Sequence, residues 1–517
     1  MQRRSVLQRL SSVRPAALLA NTANTARAQC LASLPRQPQS QSQRSLSSDA
    51  GAGSPPPPQK LAFGQPLFET HPHLLKRGEV TPGISALEYA MRRAKLAAEL
   101  PDNCIAIIPS SHVKYRSGPV FYDFHQNPDF YYLTGFLEPE AVCVIIKESG
   151  QPEGEHIFQL YVRDKDPKAE LWDGARSGVE AATEVFNADE GFNIDNLELH
   201  LEPYLRGARS VYTDLSVFPS RAVSVFHASF VHSAPDTFSF VHRIKKKTVP
   251  LAPVMHGLRN VKSAAEVANM RKAGKISGRA FNMAMQERFV TERGLHAFLE
   301  YQFKVGGCEK EAYVPVVAGG ENACTIHYTR NDETLKNGDL VLVDAGGQYG
   351  GYVTDITRTW PTSGVFTAAQ RDLYSVVLSA QKQCVSLCRE NANLSLDAIH
   401  SVAETELKSG LKQIGFDVGG RNMDTLFPHH VGHFVGLDVH DCHSCSRSRG
   451  LMEGQCVTVE PGVYVPNDDR WPVHFRGMGI RIEDSICVGD EHPIVLSAEA
   501  AKEIVDIEAL GESIRPM

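Results

Sequence analysis

Four carboxylates sit inside short apolar β-like runs in the second half of this 517-residue chain, and they constrain its fold more than any other feature. Leu340-Val-Leu-Val-Asp344-Ala-Gly-Gly reads as a buried strand that reaches a carboxylate where it meets glycines. Tyr352-Val-Thr-Asp355-Ile-Thr-Arg-Thr-Trp360 carries the second acid. The Tyr349–Gly350 region lies midway between them, which predicts a hairpin that sets Asp344 and Asp355 face to face. Cys456-Val-Thr-Val-Glu460-Pro-Gly and Gly479-Ile-Arg-Ile-Glu483-Asp repeat the theme. One such acid could face water or an arginine. Four with apolar flanks need a common partner, because an unpaired buried carboxylate costs several kcal/mol.

A pair of divalent cations is that partner, since four carboxylates offset its charge and the ions can hold a hydroxide between them. A fifth ligand is available in Pro428-His429-His430-Val-Gly-His433-Phe-Val-Gly-Leu-Asp-Val-His440-Asp441, where four histidines fall within twelve residues. One imidazole among carboxylates is a hard, oxygen-rich donor set that suits Mn²⁺ or Co²⁺ better than a thiolate-bound zinc. Other chemistries lack their motifs. The chain has no H-E-x-x-H, no G-x-S-x-G elbow and no P-loop, and Gly477-Met-Gly479 alone is too weak for a nucleotide site. Cys442-His-Ser-Cys445 is a lone C-x-x-C with no second pair to complete a zinc site, and a redox-sensitive surface loop is only slightly the better reading.

Composition removes further classes. No run of about 18 apolar residues is present, so no membrane-spanning helix is expected. The formal net charge of −7 argues against a nucleic-acid binder. Eleven irregularly spaced cysteines are too sparse for a disulfide scaffold and fit a reducing compartment.

The N-terminus departs from this average. Residues 1–48 hold arginines at 3, 4, 9, 14, 27, 36 and 44, with no Lys, Asp or Glu, and are rich in Ser and Gln. That bias reads as a mitochondrial presequence, with a basic tail as the plainer alternative. Residues 49–66, with Pro55 to Pro58 in a row, read as an extended linker. Residues 67–245 alternate helix and strand signals and predict an α/β domain: a helix over Tyr89–Leu100, and strands over Cys104–Ile108, Phe130–Phe136 and Ala141–Ile146. Lys245 to Lys247 and the prolines at 250 and 253 mark a boundary. Residues 246–517 then form an α+β domain, opened by Ser263-Ala-Ala-Glu266, the pattern of a capping box, with a helix running towards Met285 and another at 367–388.

Together these segments resemble the metal-dependent aminopeptidases of the creatinase-like, pita-bread fold, and within them the Xaa-Pro aminopeptidases, aminopeptidase P, of mitochondria. Tyr131-Tyr-Leu-Thr-Gly-Phe136 with Glu138-Pro-Glu140, the stretch from Ala312 through His327-Tyr328, and all five ligand positions carry the likeness over nearly the whole mature chain. The resemblance implies an α/β creatinase-like domain followed by a pita-bread catalytic domain. It implies Asp344 on one metal, His433 and Glu460 on the other, and Asp355 and Glu483 bridging both. The ions would be two Mn²⁺, with Co²⁺ or Zn²⁺ as alternatives, and a hydroxide held between them would attack the carbonyl before proline.

It further implies that Glu460 accepts a proton and that His327 and His440 orient the carbonyl and stabilise the tetrahedral intermediate. His429 is chosen over His430 by its offset from His433, and Arg481 steadies the carboxylates. Tyr131, the former from a partner subunit, and Tyr464, together with His327 and His440, would contact peptides with proline second. A homodimer in the mitochondrial matrix is expected, with a cytosolic fraction as an alternative, and with trimming of processed mitochondrial N-termini as its task. The chain departs from the family after His440, where Cys442-His-Ser-Cys445 replaces a Thr-Pro-like turn and leaves the cleft rim open. A prolidase that takes only dipeptides, and a non-catalytic binding scaffold of the same fold, are the rival readings.

Overall fold

A computed structural model describes residues 63–215 and 248–515. The expected presequence, most of the expected linker and the Lys245–Lys247 boundary lie outside the described residues. Contacts divide the chain into two units, one ending at Ala252 and one beginning at Pro253.

The N-terminal unit is built on a six-stranded mixed sheet. Its centre is β1 (Cys104–Pro109) paired antiparallel with β2 (Val142–Lys147), which pairs antiparallel with β3 (Ile157–Val162). Every residue of β1 and β2 is buried, so these strands read as unbroken apolar runs instead of alternating ones. Helix α1 (Ala86–Glu99) starts where Ser85 Oγ accepts from the Glu88 amide.

Phe130–Phe136, expected as a strand, is instead covered mainly by helix α2 (Pro128–Thr134). Its aromatic residues favour a strand, but local end signals win. Asn127 Oδ1 accepts from the amides of Asp129 and Phe130, Pro128 occupies the first turn, and Gly135 closes the helix at φ 65°. A Cβ at Gly135 would also meet the Tyr89 ring at 2.7 Å.

The C-terminal unit opens with α3 (Ala264–Met285), whose Ser263 and Glu266 form the expected capping box. Its sheets are short. β4 (Val316–Gly319), β5 (Leu340–Asp344) and β8 (Thr357–Pro361) form one, in the order β4-β5-β8. β6 (Gly347–Tyr349) and β7 (Tyr352–Val353) make the hairpin between β5 and β8. β9 (Cys456–Val459) pairs with β12 (Asp484–Cys487), and β10 (Gly462–Val465) pairs with β11 (Met478–Arg481). A core including Phe281, Leu299, Trp360, Tyr374 and Leu407 packs helices onto these strands. A capping box at Thr367 and Gln370 begins the helix Ala368–Ser386.

Candidate metal centre

The hairpin turns two residues away from the expected register. Tyr349 pairs with Tyr352, so Asp344 stands opposite Thr357 and not opposite Asp355. A shift of two leaves every side chain on the same face, because the strand period is two. Asp344 and Asp355 therefore still meet. Tyr313 lies between them, its hydroxyl 2.6 Å from Asp344 Oδ1 and also hydrogen-bonded to Asp355 Oδ1. The ladder is interrupted at 354–356, where Gly346 approaches so closely that a Cβ would fall 1.9 Å from the Thr354 carbonyl.

Glu460 and Glu483 arrive on the other strands. Each sits at a strand end: Glu460 follows β9, and Glu483 lies between β11 and β12. His433 Nε2 stands 3.6 Å from Asp355 Oδ2 and 3.5 Å from Glu460 Oε1. Its Nδ1 lies 3.1 Å from the Phe434 carbonyl, and donating there turns Nε2 towards the carboxylates. Ligand atoms of Asp355, His433 and Glu483 all lie within 4.8 Å of one another.

Arg481 holds the carboxylates from behind. It donates to Asp344 Oδ2 at 2.6 Å, to Thr357 Oγ1 at 3.0 Å and to the Tyr464 hydroxyl at 2.8 Å. Thr357 in turn donates to Glu483 Oε2 at 2.6 Å. Tyr464, 2% exposed, also meets His429 Nε2 at 2.8 Å. Its hydroxyl is thus shared between Arg481 and His429, a position behind the carboxylates.

Burial dominates the electrostatics of this cluster. Burial and the neighbouring Asp355 push Asp344 up to about 6. Burial likewise pushes Glu460 up to about 7, against the pull of His433 and Arg481, and drives Glu483 well above the carboxylate range with Asp355 and Glu460 adding to it. Burial opposes charge on His433, but its hydrogen bond to Asp355 and the charge of Glu460 prevail and raise it to about 9. Asp355 is the acid held below its ordinary value; burial works against this, and the His433 contact outweighs it. Burial and Arg481 lower His429 to about 4, so it is neutral. One carboxylate oxygen, Glu483 Oε1, is buried with no hydrogen-bond partner. An orphaned buried oxygen among four clustered carboxylates and a neutral-capable imidazole fits a divalent cation site.

The remaining expected residues divide in two. His440 is exposed, its ring 4.3 Å from that of His433, and burial together with the charges of His433 and His327 lowers its pKa. His327 is exposed and close enough to act on His440. Tyr131 belongs to the N-terminal unit, where it is 4% exposed and hydrogen-bonds to Tyr89 in that unit's core. Tyr313 was not singled out in the sequence. Between Ala312 and Val314 it looks like one more aromatic of an apolar run.

Comparisons with known proteins place the chain in a family. Residues 268–490 match the model of metallopeptidase family M24, and residues 89–212 match the N-terminal domain of aminopeptidase P. Intermediate cleaving peptidase 55 of Saccharomyces cerevisiae is 45% identical over 449 residues, 86% of this chain and 88% of its own. The chain belongs to metallopeptidase family M24. Within that family, Xaa-Pro aminopeptidase 3 of Homo sapiens is 37% identical over 464 residues, covering 86% of this chain and 90% of its own. The crystal structure of Icp55 from Saccharomyces cerevisiae, lacking 58 N-terminal residues, superposes with a TM-score of 0.77 at 42% identity, over 84% of this chain and 100% of that one. The two units are accordingly an aminopeptidase P N-terminal domain and a pita-bread metallopeptidase domain.

Proposed function

We propose that this protein is a metal-dependent aminopeptidase that hydrolyses the bond between an N-terminal residue and a penultimate proline. The observation that carries the reading is the meeting of Asp355, His433 and Glu483, with Glu460 beside His433, Asp344 joined to Asp355 through Tyr313, and Glu483 Oε1 left unpartnered. These five residues would hold two divalent ions, with Mn²⁺ favoured by the hard donor set. When bound, the ions supply Lewis acidity at the scissile carbonyl and acidify the attacking water.

The chain's own residues do the rest. Arg481 fixes Asp344 directly and Glu483 through Thr357, so the carboxylates keep one geometry. His429 lies 4.0 Å from Glu460 Oε2, and Tyr464 holds its ring. In this reading Glu460 takes the proton of the attacking water. His440, exposed beside His433, and His327, exposed within reach of His440, offer imidazole N–H groups to the substrate carbonyl and to the oxyanion that develops from it. A bond to proline has no N–H and a fixed φ, so the substrate must be gripped through its carbonyl and its free amine.

Yeast and human relatives bearing the names intermediate cleaving peptidase and Xaa-Pro aminopeptidase, and an Arabidopsis thaliana relative named as mitochondrial, support a mitochondrial setting and a role in trimming processed N-termini. A matrix location and a homodimer belong to the same proposal.

The test is a peptide beginning Xaa-Pro-Xaa, incubated with the purified Mn²⁺-loaded protein and read by mass spectrometry. Loss of the first residue alone, abolished by Asp344→Ala, is the expected result. Cleavage of an Xaa-Pro dipeptide but not of the longer peptide would replace this reading with a dipeptidase.

A further inference from the structure

Two cysteines that the metal centre does not use face each other across the strands that deliver two of its ligands. Cys456 of β9 pairs with Cys487 of β12 in an antiparallel ladder. The adjoining rung carries the hydrogen bond, since the Val488 amide donates to the Gln455 carbonyl at 2.8 Å, and the Cys456 carbonyl turns outward to accept from Val435 at 3.0 Å. Cys456 and Cys487 therefore occupy a non-hydrogen-bonded rung, where Cα atoms stand about 4.5 Å apart and side chains are closest. That spacing lies within the roughly 4.4–6.8 Å that a disulfide spans. Neither sulfur is in a disulfide, and Cys487, whose Sγ also donates to the Val488 carbonyl at 3.8 Å, is hydrogen-bonded to Cys456.

The other cysteines of this region are engaged elsewhere. Cys442 hydrogen-bonds to Asp441, and Cys445 Sγ lies 3.6 Å from the His256 carbonyl. The C-x-x-C that stands out in the sequence thus directs its two thiols to different partners. The Cys456–Cys487 pair also has a cation at hand, because Lys262, whose side chain is 1% exposed, acts on both thiols. The hydrogen bond from Cys456 holds Cys487 below the ordinary thiol value, with Lys262 adding to it against the effect of burial. Both cysteines are buried, Cys487 the less deeply, at 4% exposure against 0% for Cys456.

We propose that Cys456 and Cys487 form a cross-strand dithiol that closes to a disulfide on exposure to a hydroperoxide. The Cys487 thiolate attacks the peroxide O–O bond, giving a sulfenic acid and releasing hydroxide, or an alkoxide from an organic peroxide, which takes up a proton. The Cys456 thiol then attacks that sulfur, its proton leaves with the sulfenic oxygen as water, and the S–S bond forms. Two thiols lose two electrons and the peroxide gains them. The bond straps together the two strands that carry Glu460 and Glu483, each four residues from a cysteine.

Trypsin separates the relevant thiols. Cleavage after arginines 421, 447, 449, 470 and 481 and lysine 502 places Cys442 and Cys445 in one peptide, Cys456 in residues 450–470 and Cys487 in residues 482–502. The full-length metal-loaded protein, treated with hydrogen peroxide and then alkylated, is digested and mapped. A linked 450–470/482–502 species that disappears on treatment with dithiothreitol is the expected product. It should persist in Cys445→Ser and vanish in Cys487→Ser. Closure of Cys442 onto Cys445 instead, sulfinic acid at Cys487, or alkylation of both thiols in the wild type would each overturn the proposal. Because the wild-type map decides the question, misfolding of a variant does not rescue it.

Discussion

In the N-terminal unit, strands Cys104–Pro109 and Val142–Lys147 bury all their residues and carry no charge before Lys147 at the end. In the catalytic unit, Leu340–Asp344 and Met478–Arg481 are as apolar along their length, but their ends bring Asp344, Arg481 and Glu483 together out of water. The first arrangement is stabilised by the area it removes from solvent. The second keeps carboxylates where burial raises their pKa, so that each charge held there is costly unless a proton or a cation offsets it. Stability and function are therefore separable, and substitutions in the two sheets should fail in different ways.

The largest expected effect is on Glu483→Gln. Its kcat/KM on an Xaa-Pro-Xaa peptide should fall at least about a thousandfold, roughly 4 kcal/mol. With chelator present the variant should melt no lower than the wild type, because the lost carboxyl is one that burial disfavours when charged. A lower melting temperature in chelator would break the contrast between the two sheets. Ile145→Ala, at a position with 0% exposure in the N-terminal sheet, should lower stability by about 2–5 kcal/mol in denaturant titration while metal content stays constant.

Acid sensitivity sharpens the same comparison. Asp484 is fully buried, bonded to Arg358 at 2.7 Å and to Lys502 at 2.6 Å. Burial opposes its charge, but the two cations hold it at about 2. A carboxyl with a depressed folded value stabilises the protein above its ordinary value of about 3.9, and this is lost as pH falls towards 2; the contribution is roughly 2–3 kcal/mol. Chelator-treated wild type should lose stability over that window, and Asp484→Asn should show a flatter dependence from a lower starting stability. The smallest effect is on Tyr313→Phe, where losing the hydroxyl shared by Asp344 and Asp355 should lower kcat/KM about tenfold. An unchanged rate would make that hydroxyl irrelevant to ligand geometry.

The clustered acids are legible because charge inside an apolar run is itself a signal, and the capping boxes at Ser263 and Thr367 because their spacing is local. Helix α2 was misread because aromatic content spoke louder than Asn127, Pro128 and Gly135, the three residues that set its ends. The hairpin register slipped by two because Gly350 and Gly351 form the turn, while the placement on one face survived. Tyr313 and the Cys456–Cys487 pair depend on strand register across long separations, which no local pattern encodes.

Asp344 and Glu483 are separated by 139 residues of chain, and His433 and Glu460 fall between them. During vectorial synthesis, an emerging polypeptide that has reached Glu460 already exposes four acceptors yet lacks the fifth. Contacts so distant along the chain also close slowly. Completion of this cluster is therefore a late event in the protein's biogenesis, and any product ending before Glu483 would carry the other four residues without it.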